Sequence, residues 1–317
     1  MESNIIAGHG LVPVSHPRLS TVSGRGVRQL IKILSLMRTL IMEDRRTTKR
    51  DIFYQCFVDC SSQLEIDKLV SVIVTSLQVP RSLLGIVATS KGLVVGDLKY
   101  INSEGVIVDC SLAAGGDSVP QTVLDLHHIE TKAKFILVVE KDAIFQRLLE
   151  EGVLQSRLPP LIMITGKGVP DLGTRQLVRT LNIRFSLPTF VLTDYDPYGM
   201  DIFLIYKFGS LAMTWSAEPL STPTSVWIGV TSSDMINLDI PQQSTKQFSK
   251  HDTKKVEELS KREYLGHDHD NGGLRQELET MWNIGRKAEI QQIMESRDAG
   301  FLSHTYLPWK IEKSLWL

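Results

Sequence analysis

FILVVEKDAIFQRLLEEG, residues 135–152, passes from one structural period into another. Five consecutive apolar residues, Phe135 to Val139, read as a strand buried on both faces and ending on Glu140. From Asp142 the spacing lengthens, and Ile144, Leu148 and Leu149 fall on one side of a helix. The plan recurs twice. PLIMITGKG (160–168) precedes the helical LGTRQLVRTLNI (172–183), and TFVLTDYDP (189–197) precedes the helical YGMDIFLIYKFG (198–209). Apolar strands alternating with helices predict βαβ units and a parallel sheet, so this half is α/β. Ligands of such sheets gather beyond the carboxyl ends of the strands. Glu140, the Gly166 to Gly168 loop, Asp194 and Asp196 all fall there.

Three carboxylates converging on one sheet edge are the constellation that carries chemistry. Hard oxygen donors in this number suit Mg²⁺, which keeps waters and completes its shell with phosphate oxygens. Such an ion neutralises charge on a phosphoryl group. The competing reading is that acids at strand ends cap the following helix, with Asp142 a candidate for that role. A lone D-x-D is weak; a glutamate followed by D-x-D across successive βα units is a stronger pattern.

Upstream the pattern is α+β. Residues 1–26, rich in glycine and proline, read as a flexible tail. From Val27 to Met42, Leu30, Ile33, Leu34, Met37, Leu40 and Ile41 recur at helical spacing. Thr48 with Asp51 and Ser62 with Glu65 are capping-box patterns opening two further helices, the second carrying Leu64, Leu69, Ile73, Val74 and Leu77. LLGIVAT, GLVVGDLKYI and GVIVDC then read as short strands. Three helices followed by a β-ribbon match the plan of a winged helix-turn-helix, which lays a helix in a DNA groove, or of any small α+β module. The expected divisions are the tail at 1–26, a winged-helix domain at 27–112, a linker at 113–134 and a metal-binding domain with a helical extension at 135–317.

Tyr54 lies in RRTTKRDIFYQ (45–55), close to Arg45, Arg46, Lys49 and Arg50. A tyrosine is a poor nucleophile at its ordinary pKa of about 10. Arginines beside it stabilise a phenolate and grip phosphate bidentately. Taken alone, an aromatic at helical spacing is a core residue and a basic run is a solvated face.

Composition bounds these readings. With 42% hydrophobic and 22% charged residues in 317, the chain is neither disordered nor fibrous, and its length suits about two domains. No apolar run reaches the roughly 18 residues of a membrane span, and the start lacks the features of a secretory signal. Three cysteines without a repeated spacing point to a reducing compartment. Thirty-five basic against 36 acidic residues exclude a bulk-basic nucleic-acid coat but not a local basic patch.

RRTTKRDIFYQ, ATSKGLVVGDL, VVEKDAIFQRL, TGKGVPDLGTRQLV and LTDYDPYG, in that order, resemble the meiotic double-strand-break transesterase family. That family is related to the A subunit of type IIB DNA topoisomerase (topoisomerase VI). The resemblance implies a winged-helix (CAP-like) DNA-binding domain followed by a Toprim domain. It implies Tyr54 as the attacking tyrosine, with Arg50 as the motif arginine beside it. Where the motif usually ends in two tyrosines, Phe53 takes the first place. Glu140, Asp194 and Asp196 match the Toprim ligands of Mg²⁺, and Lys167 falls in a matching motif, with phosphate contact as its expected role. Arg45, Arg46 and Lys49 are expected on the DNA. The resemblance implies a homodimer on double-stranded DNA, with the tyrosine of one protomer facing the metal of the other. It also implies a topoisomerase VI B-like subunit, further recombination-initiation partners, and a nuclear location without membrane attachment. Relatives often contact the partner subunit through an N-terminal extension; few residues precede the first helix here, so that contact is expected to be reduced. Two alternatives stand beside this reading: a topoisomerase A subunit that reseals its cuts, working with an ATPase B subunit, and a catalytically idle DNA-binding scaffold. G-K-G-V-P-D lacks the spacing of an ATP-binding loop.

The remaining features read as structural. His127-His128 suits an exposed linker, and His267 to Asp270 a flexible loop. Cys56 and Cys60 lack a second pair for zinc. Lys254, Lys255, Lys261 and Arg262 suit either DNA phosphates or, slightly better, a solubilised helix.

Overall fold

A computed structural model of the chain describes residues 24–56, 60–77, 79, 81–87, 90–121, 123, 126–209, 220–265, 272–295 and 297–317. They fall into two compact units, divided between residues 89 and 90.

The first unit contains α1 (Gly24–Met42), β1 (Thr47–Thr48), α2 (Lys49–Gln55), α3 (Gln63–Leu77) and β2 (Ile86–Val87). Ile33 and Met37 of α1, Ile52 and Cys56 at α2, and Ile66, Leu69 and Ile73 of α3 build its core, joined by Cys60. Both cysteines are therefore packing residues. β1 and β2 pair in parallel, Thr47 against Ile86. Thr48 caps α2 as its sequence predicts. Its Oγ1 accepts from the Asp51 N–H at 3.1 Å, and Asp51 Oδ2 accepts in return from the Thr48 N–H at 3.2 Å. At α3 only one arm lands as expected: Ser62 Oγ accepts from the Glu65 N–H, but the Glu65 carboxylate reaches back to the N–H of Ser61. α1 carries more apolar residues than its core-facing stripe uses, so Leu34 and Ile41 are exposed, together with Ile31 and Met42.

The second unit runs β3 (Leu93–Gly96), β4 (Lys99–Ile101), β5 (Ile107–Asp109), β6 (Asp117–Ser118), β7 (His127–Glu130), β8 (Phe135–Val139), α4 (Asp142–Glu150), β9 (Leu161–Thr165), α5 (Leu172–Phe185), β10 (Thr189–Leu192) and α6 (Pro197–Phe208). It continues through β11 (Val226–Gly229), α7 (Ser232–Asn237), β12 (Lys246–Gln247), α8 (Lys250–Ser260), α9 (Gly272–Ile284), β13 (Arg286–Lys287), α10 (Ile290–Glu295) and α11 (Leu307–Glu312). Its main sheet has the order β11-β10-β8-β9-β3-β6. The first four strands are parallel, as the βαβ pattern predicts, while β3 and β6 join antiparallel. β8, β9 and β10 are buried along their whole length, which is why they read as unbroken apolar runs.

Three expectations change. Of the strands expected as the ribbon of the first domain, those in GLVVGDLKYI and GVIVDC belong to the second unit, so the division falls near 90 and not at 112. The reason lies in GLVVGDLKYI, which is two strands. Gly96 turns the chain at φ +111°, where a Cβ would lie 2.3 Å from the Leu161 carbonyl oxygen. Before it, β3 pairs with β9 inside the main sheet; after it, β4 pairs with β5 and β7. Among its described residues LLGIVAT likewise gives only the two of β2, after a 3₁₀ turn at Arg81–Leu84 and Gly85 at φ +74°. The segment 113–134 is no loose linker, since it supplies β6 and β7 and buries Val119, Val123 and Ile129. His127 and His128 stand exposed on β7. The tail residues 1–23 and the His267 to Asp270 tract lie outside the described residues.

Candidate active site

In the first unit, Tyr54 occupies the last turn of α2 and is 60% exposed, so it is not the core aromatic that its spacing allows. Phe53 takes the packing role beside it. Arg50, one turn upstream, donates from Nε to the Tyr54 hydroxyl at 3.3 Å. That hydrogen bond raises the Arg50 pKa above its ordinary value. The other basic candidates are already engaged. Arg45 pairs with Glu43 at 3.0 Å, and Lys49 pairs with Asp67 at 3.0 Å.

In the second unit, Glu140 follows β8 and Asp194 and Asp196 follow β10, which is bonded to β8 in parallel. The pairing brings the acids together. Glu140 Oε2 accepts from the Asp194 N–H at 3.1 Å, across 54 positions of sequence. Burial first, then the Asp194 carboxylate, push the Glu140 pKa up to about 7. Burial also raises Asp196, against the pull of the Gly199 N–H. Asp196 caps α6 through that 2.6 Å bond, while Asp142 stands in the first turn of α4, where a carboxylate meets the helix dipole. Gly199 permits the arrangement: a Cβ there would lie 2.5 Å from the Asp194 carbonyl oxygen.

The glycine loop completes the edge. The Gly168 N–H donates to the Glu140 carbonyl at 2.8 Å. Lys167, at φ +53°, directs its ammonium to Asp142 at 3.2 Å. Lys91 donates from Nζ to the Lys167 carbonyl and from its N–H to Asp171. Lys255 and Arg262 both grip Asp201, at 2.5 and 2.6 Å, so these two hold α8 and the turn just after it against α6.

Sequence reasoning missed the groups that hold Asp194. Lys141 Nζ lies 2.5 Å from Asp194 Oδ2, 3.1 Å from Glu289 and 3.3 Å from Gln291. Burial is the largest single influence and opposes the Lys141 charge, but the hydrogen bonds and charges of Asp194 and Glu289 together outweigh it and the pKa rises. Asp194 Oδ1 accepts from the Ile290 N–H at 2.9 Å. Lys141 stood in view beside Glu140; Glu289 and Ile290 lie in RKAEIQQ, which has no period to betray it. Glu140, Asp194 and Asp196 are hard oxygen donors of the chemistry that suits Mg²⁺. Among the described residues, however, no three His, Cys, Asp or Glu side chains are drawn together tightly enough to enclose an ion. The Lys141 ammonium is the positive charge that stands against Asp194 Oδ2.

The family model for the Toprim domain of the topoisomerase 6 A-subunit/Spo11 group matches residues 135–311, and that described as Type IIB DNA topoisomerase matches residues 25–86. The chain is 42% identical over 289 residues to "Meiotic recombination protein SPO11" of Mus musculus, covering 91% of this chain and 72% of that protein. It is 34% identical over 332 residues to "Meiotic recombination protein W68" of Drosophila melanogaster, covering 99% and 95%. It is also 34% identical over 304 residues to the A3 subunit of DNA topoisomerase 6 of Oryza sativa subsp. indica, covering 96% and 67%.

Proposed function

Because the chain belongs to the topoisomerase 6 A-subunit/Spo11 family, we propose that it is a DNA transesterase that breaks both strands of a duplex to initiate meiotic recombination. The phenolic oxygen of Tyr54 attacks a backbone phosphorus. A P–O bond forms to the tyrosine and the bond to the 3′ oxygen breaks. The phenol gives up its proton and the departing 3′ oxygen gains one. One ester replaces another, so the step needs no ATP. It leaves a 5′-phosphotyrosyl link and a 3′-hydroxyl.

The observation that carries this reading is the exposed Tyr54 hydroxyl with Arg50 Nε 3.3 Å away. A guanidinium that donates to a phenol donates more strongly to a phenolate, and its fork suits a phosphate oxygen. Glu140, Asp194 and Asp196 would hold Mg²⁺, which when bound supplies positive charge to the phosphate. Glu140 and Asp194 are held by backbone N–H groups and Asp196 by its cap, so the donors are positioned before substrate arrives. The helices α1 to α3 are the DNA-docking element on this reading. Two copies, partnered by a B-like subunit, act on one duplex in the nucleus, each cutting one strand.

The test is a protein–DNA adduct that survives denaturation. Wild type should form it, and Tyr54→Phe should fold and bind DNA but form none. Adducts in that variant would assign the attack to another residue. Relaxation of supercoiled DNA with a B subunit would mark a resealing topoisomerase instead.

A further inference from the structure

We propose that Lys141 is a tethered cation that occupies the Asp194 carboxylate in the resting protein and must be displaced before a divalent ion can settle there. The inference rests on the reading of Glu140, Asp194 and Asp196 as the metal donors. The ammonium lies 2.5 Å from Asp194 Oδ2. A divalent ion coordinated by the same oxygen would stand within a few ångströms of that ammonium, and like charges at such range repel strongly. Lys141 cannot diffuse away, because its backbone is the first residue after Glu140 and the N-cap of α4. It does have somewhere to go. Glu289 Oε2 is already 3.1 Å from the same nitrogen, and Gln291 Oε1 is 3.3 Å away. The ammonium can leave Asp194 for these acceptors by side-chain rotation alone.

Lys246 sharpens the argument. It bonds the other oxygen of Glu289 at 2.7 Å and does not touch Asp194. It is an equal charge near the site but off the contested oxygen. A DNA phosphate favours the exchange from both directions, giving the ion a further ligand and the ammonium a further acceptor. Lys141 thereby couples metal occupancy to the presence of substrate.

The test is calorimetric titration of the full chain with MgCl₂ in the absence of DNA. Lys141→Met should bind Mg²⁺ at least about tenfold more tightly than wild type. Lys141→Arg, which keeps the charge, should return to within about threefold, and Lys246→Met should change affinity by less than about threefold. Should Lys141→Met fail to fold, Lys141→Gln serves, with the same tightening expected. In wild type, the ¹⁵N signal of the Lys141 ammonium, identified by its loss in Lys141→Arg, should shift along the same Mg²⁺ binding curve. Unchanged or weaker Mg²⁺ affinity in the neutral variants overturns the proposal. So does an equal tightening in Lys246→Met, which would reduce the effect to general field. If wild type shows no Mg²⁺ binding that Asp194→Asn weakens, the metal reading itself fails and takes this proposal with it.

Discussion

Arg50 reaches one helical turn forward to Tyr54, its Nε donating to the phenolic oxygen across 3.3 Å on an exposed face of α2. The pair needs no other element to form it, since residues four apart on a helix face each other. Arg50→Ala should therefore leave the fold intact and reduce cleavage per bound complex by about a hundredfold or more, while DNA affinity falls only a few-fold. Arg50→Lys should recover part of the binding but little of the cleavage, because an ammonium lacks the fork. Single-turnover adduct formation at saturating DNA measures this. Full cleavage per bound complex in Arg50→Ala would move Arg50 to the docking surface.

Lys49 is bound to Asp67 before any DNA arrives. Phosphate contacts release counterions, so log affinity falls with log salt by roughly 0.9 per phosphate neutralised. A lysine already neutralised contributes less. Lys49→Ala should lower the salt slope by well under about 0.9, and Asp67→Asn should steepen it and tighten binding. Fluorescence anisotropy across a salt series reads both. A full unit lost in Lys49→Ala would mean that the ion pair opens completely on DNA.

Glu140 gives the metal-free protein a pH dependence with a definite sign. Its folded pKa is about 7, above the ordinary 4.5, so the folded chain holds a proton that the unfolded chain releases. That contribution is fully present below about 4.5 and is lost as pH rises through 7. In chelator, the melting temperature should fall between pH 5.5 and pH 8. Glu140→Gln should flatten the fall, leaving the variant on the order of 1–3 kcal/mol more stable than wild type at pH 8. Mg²⁺ should raise the melting point of wild type and not of the variant. Parallel pH curves for the two proteins would remove Glu140 as the cause.

Gly199 is fixed by space, since an added Cβ would meet the Asp194 carbonyl oxygen at 2.5 Å and Thr193 Oγ1 at 2.9 Å. Gly199→Ala should shift the backbone beneath Asp194, cost about 1–3 kcal/mol in urea unfolding, and weaken Mg²⁺ binding more than its stability loss predicts. Wild-type Mg²⁺ affinity in a destabilised Gly199→Ala would show that the acid does not feel the shift.

The parallel sheet was legible because β8, β9 and β10 are buried on both faces and so carry no charged residue, their only polar positions being Thr165 and Thr189 at strand ends. The acids at their ends were legible for the same reason, as the first charges after an apolar run. The ribbon was misplaced because strand pattern reports burial and not partner. Leu93 to Val95 look alike whether they pair in a wing or, as they do, against β9. The turn at Gly96 that parts them is set by its contact with Leu161, 65 positions later, which local spacing does not carry. Glu289 and Ile290 escaped for a related reason. Their part in the site comes from the bridge between Tyr195 and Ala288, and nothing in the polar run around them marks it.

That bridge also sets an order in time. The Ile290 N–H that holds Asp194 comes 96 residues after it in the chain. A ribosome will have made the tyrosine, the glycine loop and all three acids well before it makes the segment that fixes the last of them. During synthesis the emerging polypeptide thus carries the residues proposed for the chemistry without the donor that fixes Asp194. An unfinished or prematurely released product would hold an acid with one oxygen lacking its backbone donor, and would be a poor cutter of the genome. Completion of the chain is in this sense the molecule's first licence to act.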